Sequence, residues 1–293
     1  MKKPILYTAI TLMLVLANLQ IVNAQDETGT ESKPVRSAFE SGILIDQQTN
    51  NIPTANTLEL LIQHKFGTIQ NGITDLYGIY AAGANIRIGF NYSILDNLMV
   101  GFGSTKNKKF QDFQVKWNVL PQTRDNKYPV AITLYGNMAI DAREKKVFGT
   151  EYNFGNRFSY FSQLIITRRF NDYLSLQVAP SFTHFNSAEK GMDHDKIGLS
   201  MAGRVKVSPQ SSFLLQCDVP FKIQGIAENM EFTNPSKPNF AFGWEISTST
   251  HAFQIYMGTA SGILGQENLM NNTNDFLNGE MMLGFTITRL WSF

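Results

Sequence analysis

The chain has 293 residues, 43% of them hydrophobic and 17% charged, with 25 Lys and Arg against 24 Asp and Glu. That balance excludes a general nucleic-acid binder, which needs a clustered cationic footprint. A single cysteine excludes an internal disulfide framework and a cysteine-built zinc site. A helical transporter is excluded as well, because after the N-terminus no stretch reaches about 18 uninterrupted apolar residues.

Residues 1–24 read as a signal peptide: Lys2 and Lys3 precede an apolar run over 5–19, and Val22, Asn23 and Ala24 offer a small-residue cleavage site. The alternative, an N-terminal membrane anchor, is disfavoured because the run is short and interrupted by Thr8, Thr11 and Asn18. No cysteine lies near the cleavage point, so lipoprotein anchoring is not expected. Residues 25–55 are polar around one apolar patch at 42–45, and read as a periplasmic lead-in or a small plug.

From residue 56 to 293 the chain alternates with period two. Over 57–66, Leu58, Leu60, Ile62 and Phe66 oppose Thr57, Glu59, Gln63 and Lys65; over 84–94, Ile86, Ile88, Phe90, Tyr92 and Ile94 oppose Asn85, Arg87, Gly89, Asn91 and Ser93. A helix cannot use that spacing, and a half-buried strand requires it. The pattern recurs around Val100, Val115, Leu134, Leu164, Val178, Met201, Leu215, Trp244, Ile255 and Phe285. The sum is an all-β antiparallel transmembrane barrel of about 12 strands, each long enough to cross a bilayer when tilted.

A secreted β-sandwich alternates in the same way, and the connections separate the two folds. Tight turns at 95–97, 171–172, 208–210 and 249–250 alternate with long connections at 67–80, 141–156, 186–194, 224–238 and 261–278. One exception is the short link at 106–108, opposite a longer one at 121–128. Barrels with a periplasmic and an outer rim show this asymmetry. The expected topology puts Asn97, Asn171 and both termini in the periplasm, with the loops around Glu151, Lys190, Asn229 and Asn272 outside. Trp291 and the terminal Phe293 end the closing strand as an assembly signal of the kind the barrel-insertion machinery reads.

The segments LLIQHKFG (60–67), ANIRIGF (84–90), VGFGS (100–104), FQDFQVKW (110–117) and GLSMAGRVKV (198–207) resemble the outer-membrane β-barrel family catalogued as domain of unknown function 5777. The resemblance covers most of the chain beyond the signal peptide. It implies the barrel fold and an outer-membrane location, and brings no activity or catalytic residue with it.

Motifs for other chemistry fail one by one. Gly101-Phe-Gly103 opens like a phosphate loop but lies in a strand without the third glycine or the helix, and fits small lumen-facing residues instead. Asp193-His-Asp195 opens like a calcium loop, yet Ile197 and Arg204 stand at positions five and twelve. His64, His184, His194 and His251 are dispersed, with no pair spaced as metal ligands. His184-Phe-Asn-Ser187 lacks the order of a barrel phospholipase nucleophile segment. Neither an enzyme nor a cofactor or metal is expected.

Parity sends Glu59, Lys65, Arg87, Lys116, Arg204, Lys206, Asp218, Lys222 and Glu245 to the interior. A twelve-stranded backbone cylinder is roughly 24 Å across, so side chains leave at most a narrow passage. These charges either fill the interior as ion pairs or line a selective channel whose basic excess favours anions. Two functions follow: a narrow channel or transport barrel for a small solute, for which a basic excess would favour anions, or a non-conducting structural barrel that anchors a partner. A transporter of hydrophobic molecules is a variant of the first, favoured if the lead-in occupies the lumen and a gap opens toward lipid. Expected partners are outer-membrane lipid, the insertion machinery and, for the anchoring function, a periplasmic protein. Replacing Arg87 by Gln is expected to leave the fold intact.

Overall fold

A computed structural model describes residues 32–188, 192–223 and 235–293; the signal-peptide reading and the loop positions Lys190 and Asn229 lie outside the described residues. Two short strands, β1 (Ile43–Leu44) and β2 (Gln47–Gln48), form a hairpin of their own. Twelve longer strands follow: β3 (Thr57–Thr68), β4 (Asn85–Leu95), β5 (Leu98–Thr105), β6 (Gln111–Leu120), β7 (Ala131–Ile140) and β8 (Phe158–Arg169), then β9 (Leu174–Phe185), β10 (Asp195–Lys206), β11 (Ser211–Lys222), β12 (Asn239–Ser247), β13 (His251–Gly258) and β14 (Met282–Ser292). Each pairs antiparallel with the next, and β14 closes on β3, so the expected twelve-stranded barrel is the fold. Closure removes the unpaired edges that no strand can leave in hydrocarbon. Among the described residues no helix is long and apolar enough to cross a membrane.

Short turns gather at one rim, together with Thr57 at the start of β3 and Ser292 at the end of β14, paired side by side. The long connections gather at the other rim. Outward positions carry exposed apolar side chains such as Ile88, Phe90, Phe102, Phe113, Val178 and Ile255. Neighbouring strands match them rung for rung, with Phe90 opposite Phe102 and Phe102 opposite Phe113. Trp291 sits under the Arg289 guanidinium at 4.9 Å, and Phe293 is held by its backbone N–H to the Asn56 carbonyl at 3.0 Å.

The hydrophobic core is inside the barrel, and the lead-in supplies much of it. Pro34 bridges Thr123 at the short-turn rim, after which the chain passes into the lumen. There Phe39, Leu44 and Ile45 cluster with Leu214, Ala241 and Tyr256 of the wall. The hairpin turn places Ile45 at φ 53°, a region costly for a β-branched residue, yet the side chain is fully buried.

From the long-loop rim a second segment folds inward, carrying the helix α1 (Gly265–Asn271), whose Gln266, Glu267, Asn268, Leu269 and Met270 are buried. The connection around Asn272 thus lies at the long-loop rim with the others, but folds into the lumen there instead of standing clear of it. Asn272 is buried and donates to the Lys237 and Pro238 carbonyls, while Leu277 is the exposed tip. Parity could not show this, because the segment outside the strands has no period to read.

Adjacent residues on β4 test the two faces: Arg87 is 2% exposed and Ile88 45%. Ile88→Arg is expected to cost about 2–4 kcal/mol in lipid-reconstituted protein, read as a lowered urea unfolding midpoint. A Trp at the same position should be quenched by brominated acyl chains; absence of quenching would mean that this face does not meet lipid.

Candidate functional site

The inward charges are unevenly spread around the lumen. Buried charges come from β3, β4, β6, β10, β11 and β12; β5, β13 and β14 contribute none, and β7, β8 and β9 form the longest run without one. Four mid-lumen cations, Lys65, Arg87, Lys116 and Arg204, face five acids, Asp46, Glu59, Asp112, Asp218 and Glu245. In so dry a space each charge needs a counter-charge or a set of hydrogen bonds.

Arg87 makes a two-pronged pair with Asp112, Nε to Oδ1 at 2.9 Å and Nη2 to Oδ2 at 2.7 Å. The guanidinium lies over Gly89 and Gly103, where a Cβ would collide with it. This gives the Gly101-Phe-Gly103 segment its physical reason, since Gly101 likewise leaves room for Asn91.

Other pairs seat the hairpin. Lys116 donates to the Gly42 carbonyl at 2.6 Å, and Arg204 bridges Glu40 at 3.0 Å and Glu245 at 3.3 Å. Wall glutamines hold the turn: the Ile45 N–H donates to Gln254 Oε1 at 2.8 Å and the Asp46 N–H to Gln216 Oε1 at 2.9 Å. Gln47 donates to Asp218 at 2.8 Å.

Lys65 joins the two closing segments at one atom. Its Nζ donates to Asp46 Oδ2 of the hairpin, and to the Ala260 and Gly262 carbonyls of the inward loop, each at 2.7 Å. Below that loop α1 docks on the wall: Gln266 donates to Asn137 at 2.7 Å, and Glu267 accepts from Asn107 and from the Ile263 N–H. Burial pushes the Asp46 carboxyl above its ordinary pKa despite the opposing pull of Lys65, and burial likewise raises Glu267. Between hairpin and helix remains a cavity of about 30 Å³, bordered by Asp46, Arg87, Tyr135, Phe161 and Leu269, which is space on the scale of one water. A wider pocket of about 390 Å³ opens at the long-loop rim beside Lys108, Arg143, Arg157 and Phe148.

Of the nine residues that parity sent inward, Glu59, Lys65, Arg87, Lys116, Arg204, Asp218 and Glu245 are buried in this lumen. Lys206 is half-buried and Lys222 exposed, both at strand ends, where the inward direction no longer meets the packed interior. With those two lysines outside the cluster, and Asp46 and Asp112 inside it, the basic excess expected from sequence disappears. Asp112 was legible, since it shares the parity of Lys116. Asp46 and Glu267 were not, because they sit outside the strands. Among the described residues no group of three or more His, Cys, Asp and Glu is placed to hold a metal.

Residues 39–291 match the family described as membrane bound beta barrel domain, DUF5777. Among solved structures, the chain is similar to the COG4313 outer membrane channel from Pseudomonas putida F1, at 12% identity over 83% of this chain and 97% of that one, with a TM-score of 0.49. It is also similar to the NanC porin, at 7% identity over 80% and 99% with a TM-score of 0.49. For LpxR from Salmonella typhimurium the figures are 14% identity over 80% and 100%, and a TM-score of 0.40. No curated protein matches the chain.

The pairing of Arg87 with Asp112 reverses the expectation that Arg87→Gln is tolerated. That change leaves a carboxylate buried without its partner, and is expected to cost about 3–5 kcal/mol in urea unfolding. Adding Asp112→Asn should recover most of the loss; equal losses in the single and double variants would show that the pair is not coupled.

Proposed function

We propose, since the chain belongs to the DUF5777 family of membrane-bound β-barrels, that it is an outer-membrane transport barrel held closed by its own N-terminal hairpin and opened when that hairpin withdraws. With the short-turn rim toward the periplasm, as the alternation of connection lengths implies, the hairpin inserts from the periplasmic side and α1 from the outside. The observation that carries this reading is Lys65, whose single ammonium holds both segments across the lumen. A purely structural barrel has no need of a separate segment seated on buried polar contacts, where apolar filling is cheaper. The strained Ile45 turn supports withdrawal: its φ of 53° costs on the order of 1–3 kcal/mol, which leaving the lumen releases.

Transport is favoured over catalysis because the mid-lumen cations are committed to partners, Arg87 to Asp112, Lys65 to Asp46 and Arg204 to Glu40 and Glu245, which leaves these groups tied to the closure of the barrel. The balanced charge of the lumen also removes the argument for an anionic solute.

In planar bilayers the full chain is expected to be silent, and a variant lacking residues 34–52 to conduct in discrete steps. Lys65→Gln, which loosens both closing segments while leaving the wall, should give brief openings. Steady conductance of the full chain, or silence of both variants, would overturn the reading, and the second result would favour an anchoring barrel.

A further inference from the structure

The β8–β9 ladder is interrupted without a change of register, unlike the ladders between β14 and β3, β4 and β5, and β6 and β7, which shift register where they are irregular. Pairing between β8 and β9 runs from Ser159–Phe185 to Gln163–Ser181 and resumes in unchanged register at Ile166–Val178. The two rungs between, Leu164 with Pro180 and Ile165 with Ala179, are not paired. Pro180 brings no N–H to a ladder and is foreign to the middle of a sheet. The interruption falls near mid-strand, with Leu164 and Val178 exposed on the outer face beside it.

Directly behind the interruption the lumen turns apolar. Ile165 and Ala179 are fully buried there and cluster with Phe161, Tyr135 and Leu269. Leu269 comes from α1, not from the wall. It rests on the bare backbone of Gly198, where any side chain would collide with it, and Gly265 lets the start of α1 lie on the Phe161 ring. The mid-lumen cavity borders this cluster through Phe161 and Leu269. A lumen whose charges need ion pairs gains nothing from placing an apolar cluster, with Leu269 of α1 packed into it, against an interrupted stretch of its wall. A molecule arriving from the hydrocarbon would find its first low-dielectric site there.

We infer that the β8–β9 wall holds a binding site for an uncharged, apolar small molecule exchanged with the lipid phase. Leu269 occupies that site in the closed barrel, and the ligand takes its place when α1 shifts. The inference rests on the transport reading and names its substrate class: lipophilic and without net charge. The charged strands then serve chiefly to seat the hairpin, and β7 to β9 to carry the ligand.

The test uses the full chain in lipid nanodiscs, titrated with 1-N-phenylnaphthylamine, an uncharged aromatic probe, and with the anionic 8-anilinonaphthalene-1-sulfonate. Leu269→Ala vacates the site and is expected to bind the neutral probe saturably and about tenfold tighter than the native chain, the scale of a methylene's worth of apolar room. Adding Ala179→Trp should abolish that binding. Pro180→Val, which restores a backbone donor at the interruption, should slow association without changing the final occupancy. Failure of Leu269→Ala to bind, binding indifferent to Ala179→Trp, or equal binding of the sulfonate would overturn the site. An association rate unmoved by Pro180→Val would overturn the route through the wall. Conductance on removal of residues 34–52 is a separate readout. A barrel that opens on that deletion but fails the titrations loses the lipophilic site and keeps the transport reading, and the opposite pair of results does the reverse.

Discussion

A charge pointing into a narrow barrel has no solvent to fall back on, and that constraint organises everything inside this one. Lys65, Arg87, Lys116 and Arg204 are almost fully buried, so each must be met by an acid or by carbonyls within hydrogen-bond reach. The wall supplies only part of what they need. Asp112 answers Arg87 from within the sheet, but Lys65 and Lys116 are completed by Asp46 and the Gly42 carbonyl, which belong to the hairpin. Hairpin and wall are thus parts of one electrostatic unit, and withdrawing the first leaves the second to be rehydrated.

The same constraint explains the asymmetry of the lumen. Where the hairpin is seated, the wall carries charges and glutamines that reach its backbone. On β7 to β9 the inward residues are small, amide-bearing or apolar: Gln177 donates to the Gln48 carbonyl of the hairpin at 2.8 Å, and Leu269 of the opposite segment packs against Ile165 and Ala179. Lys65 couples the two halves, because the ammonium that holds Asp46 also holds the loop leading into α1. Displacing either segment would strip the shared ammonium of part of its partners.

Much of this was legible in the sequence, because a strand with one face in lipid and one in a packed lumen imposes a strict period of two. Strand number and the inward direction of Glu59, Arg87 or Glu245 follow from that period, and the alternation of short and long connections points to a closed barrel over a sandwich. The period fails where the chain leaves the sheet. The patch at 42–45 was recognisable as apolar, but nothing in its spacing shows that Ile45 adopts a left-handed turn under Gln254. Nor does anything around Asn272 show that its segment folds inward. Lys206 and Lys222 share the inward parity yet lie at strand ends, where direction and burial part company. The basic excess read from parity disappeared chiefly because those two lysines leave the cluster while Asp112 joins it; Asp46 adds a further acid from a segment that has no parity.

The account stands on the hairpin being seated inside the barrel, and backbone hydrogen exchange in lipid-reconstituted protein reads that seating at two atoms. The Ile45 and Asp46 N–H groups donate to the wall glutamines Gln254 and Gln216, shielded from solvent on all sides. Their exchange is expected to be slowed to the level of the barrel strands themselves. Exchange at the rate of an unstructured chain, in protein whose strands are protected, would contradict the closed lumen.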